Sequence, residues 1–309
     1  MKRWWLALLL ACAGAAHAAE PGFPLTLRDD GGQLVTLPAP ARRVVTIAPN
    51  LTEIVADLGA LDRIVGTVNT SNHPPEAARI PRIGDHQRLD LEKIIGLKPD
   101  LVLVWTHSGT ERELAMLKAA GLQAFRVEPL RLAELAPAIE RVGRLLGLAD
   151  AGRRRAEALN RTLAALRAAR PADAPKVDVF YQVWSEPLMT LSGRHIVSDV
   201  IELCGGRNVF AELQPLAPQV SIESVLQARP EVVLSAREDG GGPLLKRAPD
   251  DAGYAIWRRL GQGFTPARRG WLYTLPGDEI SRAGPRIADG ARALCQALDE
   301  VRRERAARP

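Results

Sequence analysis

The sequence predicts an α/β protein of two lobes, each with a central, mainly parallel sheet flanked by helices, joined by a long interlobe helix. Three observations carry this. Short β-branched runs alternate with helical segments on both sides of the chain's middle. The middle itself, residues 132–169, is wholly helical in pattern. A 13-residue segment recurs at a constant offset of 131: residues 91–103 read LEKIIGLKPDLVL and residues 222–234 read IESVLQARPEVVL. Glu92 meets Glu223, Pro99 meets Pro230, Asp100 meets Glu231 and Leu103 meets Leu234. Two copies so far apart are too few for a solenoid; the length and constant register of the match favour two similar lobes over a chance recurrence of a common αβ turn.

The elements follow in order. Val44–Ala48 is a β-branched strand closed by a Pro-Asn turn. Leu51–Leu58 has helical spacing, with Thr52 and Glu53 at its start and Gly59 as its stop. Ile64–Val68 is the next strand. Leu91–Leu97 is a short helix ending before Lys98-Pro99, and Leu101–Val104 is a buried-type strand. Glu111–Ala120 is a helix stopped by Gly121, and Ala124–Val127 is a strand. In the helical middle Gly147 breaks the run, and Asp150 is the expected cap of a helix from Ala151 to Ala169. Pro171 to Pro175 ends it, and Val177–Tyr181 restarts the strand rhythm. Trp271–Leu275 is a late strand, followed by a loop running from Gly277 to Arg286.

Length and charge bound the function. The 309 residues are comfortable for two domains, and composition is ordinary globular, with 46% hydrophobic and 25% charged residues. The 41 Lys+Arg against 36 Asp+Glu give a net charge of +5, without the basic runs of a nucleic-acid protein. Residues 1–18 read as a signal peptide: Lys2-Arg3, an apolar core from Trp4 to Cys12, and a cleavage site Ala16-His17-Ala18. Removing them takes away Lys2, Arg3 and Cys12, leaving 291 residues and a charge of about +3. Lipid attachment at Cys12 is the second reading. The two remaining cysteines, Cys204 and Cys295, read as a disulfide in an exported chain, against two separately buried thiols. The expected divisions are residues 1–18 signal peptide, 19–149 first lobe, 150–170 connecting helix and 171–309 second lobe.

Catalytic motifs are lacking. There is no HExxH, CxxC, GxSxG, GxGxxG or P-loop, so the chain is expected not to be an enzyme and to carry no catalytic residues and no cofactor. Gly240-Gly241-Gly242 has no Lys-Ser/Thr behind it and reads as a loop. His73 and His86 lie in loops of the first lobe that could line one mouth or, equally, leave both imidazoles in solvent. Aromatics are only 5%, so their placement is informative. Trp105 follows strand 101–104, and Trp184 lies just past strand 177–181, both at carboxyl ends where α/β proteins bind ligands. There they suit stacking on a flat ligand or, alternatively, capping the core. Trp257 and Trp271 read as packing residues. Asp278 and Arg282, four apart, suit hydrogen bonding to amides or carboxylates of a polar ligand, or a solvated ion pair.

The stretches RVVTIAPNLTE (43–53), DLEKIIGLKPDLVLVW (90–105), IELCGGRNVF (201–210), PQVSIESVL (218–226) and SRAGPRI (281–287) resemble periplasmic substrate-binding proteins. The resemblance is to the cobalamin, haem and siderophore class, a helical-backbone metal receptor family, and most of all to its cobalamin binders. It covers about residues 42–300. It implies ligand capture in an interlobe cleft and delivery to an inner-membrane ABC importer, a permease dimer with its ATPase, by a monomer in the periplasm that binds no nucleic acid. It also implies that Glu92 and Glu223 dock on the permease and that Cys204 and Cys295 pair in the second lobe. The ligand positions it implies are Trp105, Asp278 and Arg282, with Trp184 one residue off another. His73 and His86 stand where two aromatics are expected, and Ala217 stands at a third. A corrinoid is the expected ligand. Haem or a ferric siderophore is the alternative, with His73 or His86 as axial ligand of a ligand-borne metal and no metal bound by the protein directly. An exported hydrolase is the reading from another class.

Overall fold

A computed structural model describes residues 22–85, 88–105, 110–170, 173–237, 245–248 and 250–307. The expected signal peptide with Cys12, together with His86 and the triple glycine, lies outside these residues.

The first lobe opens with a hairpin of β1 (Leu25–Arg28) and β2 (Leu34–Leu37). Its sheet is built from β3 (Val44–Thr46), β4 (Ile64–Thr67), β5 (Leu101–Val104) and β6 (Ala124–Arg126), with α1 (Pro49–Asp57), α2 (Leu91–Gly96) and α3 (Thr110–Ala119) in the connections. The strand order is β4-β3-β5-β6 and every pairing is parallel. β5 is buried on both faces, as its unbroken Leu-Val-Leu-Val run requires.

Two helices then run consecutively, α4 (Leu132–Leu145) and α5 (Ala149–Ala168), and α5 leads from the first sheet to the second. α5 starts earlier than its sequence suggests. The Gly152 N–H bonds the Leu148 carbonyl (2.9 Å), so Leu148 is the cap and Asp150 lies inside the first turn. The helices cross closely: a Cβ on Gly143 would sit 2.9 Å from Gly152 Cα, which only glycine avoids.

The second lobe continues through β7 (Val177–Gln182), a short hairpin of β8 (Trp184–Ser185) and β9 (Leu188–Met189), α6 (Ile196–Leu203) and β10 (Gly206–Asn208). After these come α7 (Ile222–Ala228), β11 (Val232–Arg237), β12 (Lys246–Arg247), α8 (Ala255–Leu260), α9 (Thr265–Arg269), β13 (Leu272–Pro276), α10 (Gly277–Ser281) and α11 (Ile287–Ala307). The sheet order is β10-β7-β11-β13-β12, parallel except for β12. The stretch after β13, expected as loop, begins with the single turn α10. Cys204 and Cys295 are disulfide-bonded, joining the end of α6 to α11 across a Cα–Cα distance of 4.7 Å.

One apolar core runs through both lobes, containing Leu51, Phe125, Ile139 and Leu159 as well as Val179, Ile201 and Leu294. Each sheet has a second, separate cluster: Val45, Val102, Val104 and Ile94 in the first lobe, and Phe180, Tyr254, Trp257 and Phe264 in the second. Two covered faces per sheet explain why a central strand such as β5 is apolar along its whole length.

The repeat is visible in the backbone. Asp90 and Ser221 are both N-caps, accepting from the N–H groups of Lys93 (2.9 Å) and Ser224 (3.1 Å). Lys98 and Arg229, 131 apart, both adopt φ +48°, an uncommon left-handed conformation for a side-chain-bearing residue. Asp100 and Glu231 each bond back to the start of the lobe's first sheet strand, at Arg43 N–H (3.0 Å) and Asp178 N–H (3.1 Å).

Candidate ligand cleft and docking helices

In each sheet the chain turns to opposite sides of its first strand, leaving a switch point between β3 and β5 and another between β7 and β11. Open parallel sheets bind ligands at the carboxyl ends of such strands. The start of α1 and Trp105 follow β3 and β5. The β8–β9 hairpin with Trp184 follows β7, and α10 follows the neighbouring β13.

The lobes meet here through charged groups. Glu53 of α1 is 3% exposed, between Leu51 and the buried Ile54 and Val55. Its Oε1 accepts from Arg282 Nη1 (2.9 Å) and Arg286 Nη2 (2.7 Å), and its Oε2 accepts from Arg286 Nε (3.1 Å). Burial alone lowers the Arg286 pKa, but the hydrogen bond and charge of Glu53, with Glu279 and Asp278, hold it above its ordinary value. Arg282 also pairs with Asp278 (2.8 Å) and donates to Asn72 Oδ1 (2.7 Å), while Asn72 Nδ2 donates to Asp278 Oδ2 (2.8 Å). Asn50 Nδ2 reaches the Ala283 carbonyl (3.2 Å). Asp278 and Arg282 are therefore the two sequence-predicted residues brought together, within a network that ties α1 and the 70–72 loop to α10 and the segment after it.

The loop holding Asn72 rests on a buried hydroxyl cluster. Thr46, Thr52, Thr67 and Ser71 share bonds of 2.7–3.1 Å, and Arg82 Nη1 donates to the Val68 and Ser71 carbonyls. His73 directly follows Asn72 and is half-buried. Trp105 is half-buried against the shared core. Trp184 is 48% exposed, its Nε1–H satisfied by the Glu186 carbonyl (2.8 Å), which leaves the ring in solvent. Tyr181 at the end of β7 is buried, which pushes its phenol pKa up to about 12, and its hydroxyl lies 3.5 Å from Ser281 Oγ. Trp257 and Trp271 are buried at 0% and 2% exposure and are packing residues. Among the described residues no group of three or more His, Cys, Asp or Glu is placed to hold a metal ion.

Sequence reasoning missed Glu53 as an interlobe residue. Its placement at a helix start reads as ordinary dipole pairing. The available signal was a Glu flanked by Leu51, Ile54 and Val55 on an apolar helix face, where an unpaired charge would be costly.

Glu92 and Glu223 sit elsewhere, at the second positions of α2 and α7, both exposed. The Glu223 carboxyl is held below its ordinary pKa by its own backbone N–H and by Ser221. Because helices in α/β units run antiparallel to the strands they precede, both helix starts lie at the carboxyl-end side of their sheets.

Comparison with known proteins agrees with this geometry. Residues 44–247 match the family described as periplasmic binding protein. The chain is 31% identical over 265 residues to a vitamin B12-binding protein of Vibrio cholerae, covering 86% of this chain and 92% of the relative. It is 32% identical over 258 residues to that of Photorhabdus laumondii, covering 84% and 88%. The crystal structure of periplasmic vitamin B12 binding protein BtuF of Vibrio cholerae matches with a TM-score of 0.75, 31% identity and coverage of 85% and 98%. A periplasmic heme-binding protein from Roseiflexus sp. matches with a TM-score of 0.71, 27% identity and coverage of 85% and 99%. With two lobes facing each other across the carboxyl ends of their sheets, and relatives matched over nearly their whole length, the chain belongs to the periplasmic binding protein family.

Proposed function

We propose that this protein captures cobalamin or a related corrinoid between its lobes in the periplasm and delivers it to an inner-membrane ABC importer. The observation that carries the reading is the near-full-length similarity to the Vibrio cholerae vitamin B12-binding protein in both sequence and fold. Trp184 offers an exposed indole face for stacking on a macrocycle, and Trp105 is its counterpart at the first lobe. Asp278 and Arg282 supply an acceptor and a donor fork for the ligand's amide side chains. Glu92 and Glu223 are the groups that dock on the permease, and export proceeds through cleavage after Ala18, with lipid attachment at Cys12 as the alternative. The protein works as a monomer, and none of these roles requires a catalytic group.

The heme-binding relative and a half-buried His73 beside the interlobe network favour a second reading, haem held through an imidazole. One titration separates the two. Cyanocobalamin is expected to give heat and to quench tryptophan fluorescence at micromolar protein, the quenching being reduced in Trp184→Ala. Hemin is expected to leave its Soret band unshifted. A Soret shift that disappears in His73→Ala, with no response to cyanocobalamin, replaces the corrinoid reading by the haem one.

A further inference from the structure

The repeat at offset 131 preserves more than a glutamate. In each copy the residue two after the glutamate is fully buried, Ile94 and Val225, and seats its helix on the second cluster of its lobe. The residue three after the glutamate is a large aliphatic left in solvent. Ile95 is 45% exposed and Leu226 is 36% exposed. Residues three apart on a helix share a face, so Glu92 with Ile95, and Glu223 with Leu226, form one small patch on each lobe.

Core packing does not account for this arrangement, because Ile94 and Val225 already fill the core position. Surface scatter does not account for it either. Seven large hydrophobics are exposed among the described residues: Leu34, Ile95, Met116, Val183, Trp184, Leu216 and Leu226. Only Ile95 and Leu226 are related by the offset that also relates the glutamates, the N-caps Asp90 and Ser221, and the left-handed Lys98 and Arg229.

We infer that Ile95 and Leu226 are the apolar halves of two matched docking contacts. Each engages an apolar side chain beside a cation on one of two symmetry-related halves of a membrane partner. The inference rests on the docking reading of Glu92 and Glu223 and adds the residues that give the contact its lifetime. An exposed carboxylate alone forms a weak, salt-screened contact and acts mainly on encounter and orientation. An aliphatic side chain next to it excludes water from the pair and slows dissociation. Two equal patches on one chain match a partner with two-fold symmetry, since each half presents the same surface.

The test measures binding of the purified protein to the importer that takes up cyanocobalamin in the same cells, reconstituted in nanodiscs, at about 50 mM and about 300 mM NaCl. Ile95→Ser with Leu226→Ser is expected to weaken binding roughly tenfold at both salt concentrations, chiefly through faster dissociation. Glu92→Gln with Glu223→Gln is expected to weaken binding most at low salt and to flatten the salt dependence. Both pairs should bind cyanocobalamin as the parent protein does, which also controls for folding. Leu34→Ser with Met116→Ser, exposed at 64% and 44% but unrelated by the offset, should have no effect on importer binding. Parent-like binding by the Ile95/Leu226 pair with weakened binding by the glutamate pair overturns this inference and leaves the docking reading standing. Unchanged binding by the glutamate pair removes the docking reading itself. Equal weakening by the Leu34/Met116 pair overturns the inference by reducing the effect to general surface apolarity.

Discussion

The two helices of the repeat, α2 and α7, make the most instructive comparison in the molecule. α2 and α7 share caps, length to within one residue and a left-handed exit. The ground beneath them differs. α2 rests on an aliphatic cluster in which Val, Ile and Leu supply every fully buried member. α7 rests on an aromatic one, where the Trp257 ring meets Phe180 edge-on at 5.6 Å and Phe264 at 5.1 Å, and Phe210 meets Phe180 at 5.7 Å. The repeated segment thus keeps its outward face and backbone while the packing below diverged. Selection of that kind is expected when two surfaces must meet one symmetric partner and each core has only to be filled. It also explains where the scarce aromatics went. From Phe180 onward there are nine, and all but Trp184 are buried or packed on the second lobe's cores.

Trp257→Ala is the most severe way to break the comparison. It empties a fully buried site and leaves the Gln182 Oε1 acceptor without its indole donor at 2.6 Å. The expected loss is about 4 kcal/mol, read by urea denaturation, with the second lobe losing hydrogen-exchange protection before the first. In the aliphatic seat, Ile94→Val should cost about 1 kcal/mol. A tryptophan variant as stable as the valine one would mean that the aromatic cluster is not what supports α7.

Much of this fold is legible in the sequence because it is written locally. The run Leu101–Val104 matches its strand residue for residue, and the repeat marks both α2 and α7. Local signals misled where two caps competed: Asp150 looks like the stronger cap, but Gly147, at φ +68°, ends α4 so tightly that α5 begins at once from Leu148. Glycine and proline around 276–277 suggest loop, yet one turn of α10 forms because Arg282 and Arg286 anchor the segment across the cleft. The role of Glu53 is hinted at locally only by its apolar neighbours Leu51, Ile54 and Val55. Its partners are 229 and 233 residues away, and only the packing of one lobe against the other joins them.

Glu53→Gln tests whether that junction, unlike the peripheral helices, carries stability. The amide keeps the side chain's volume but lacks the negative charge and one acceptor, so two largely buried guanidinium groups lose their shared counter-ion. The expected loss is about 3 kcal/mol, accompanied by separation of a single unfolding transition into two as the lobes uncouple. A loss within about 0.5 kcal/mol would show that Asp278, Glu279 and Asn72 suffice to hold both arginines.

The start of α4 gives the mildest and most discriminating test. There Asp199 of α6 pairs with Arg131 (2.6 Å) and accepts from the Leu132 N–H (2.9 Å), while Arg131 also donates to the Gly193 carbonyl (3.1 Å). Desolvation raises the Asp199 pKa, and the Leu132 N–H and Arg131 only partly offset it, with Glu202 adding to the rise. A carboxyl whose folded pKa lies above its unfolded value contributes stability that is fully present below the unfolded pKa. That contribution is lost as pH rises through the folded pKa. Charged Asp199 is therefore a small net cost near neutrality. Asp199→Asn keeps an oxygen for the Leu132 N–H and removes the cost. The variant should match the parent near pH 3 and exceed it near pH 7 by less than about 1 kcal/mol, because Arg131 is half exposed and the pairing is screened. A variant less stable than the parent at pH 7 would instead make Arg131–Asp199 a second true clasp between the lobes.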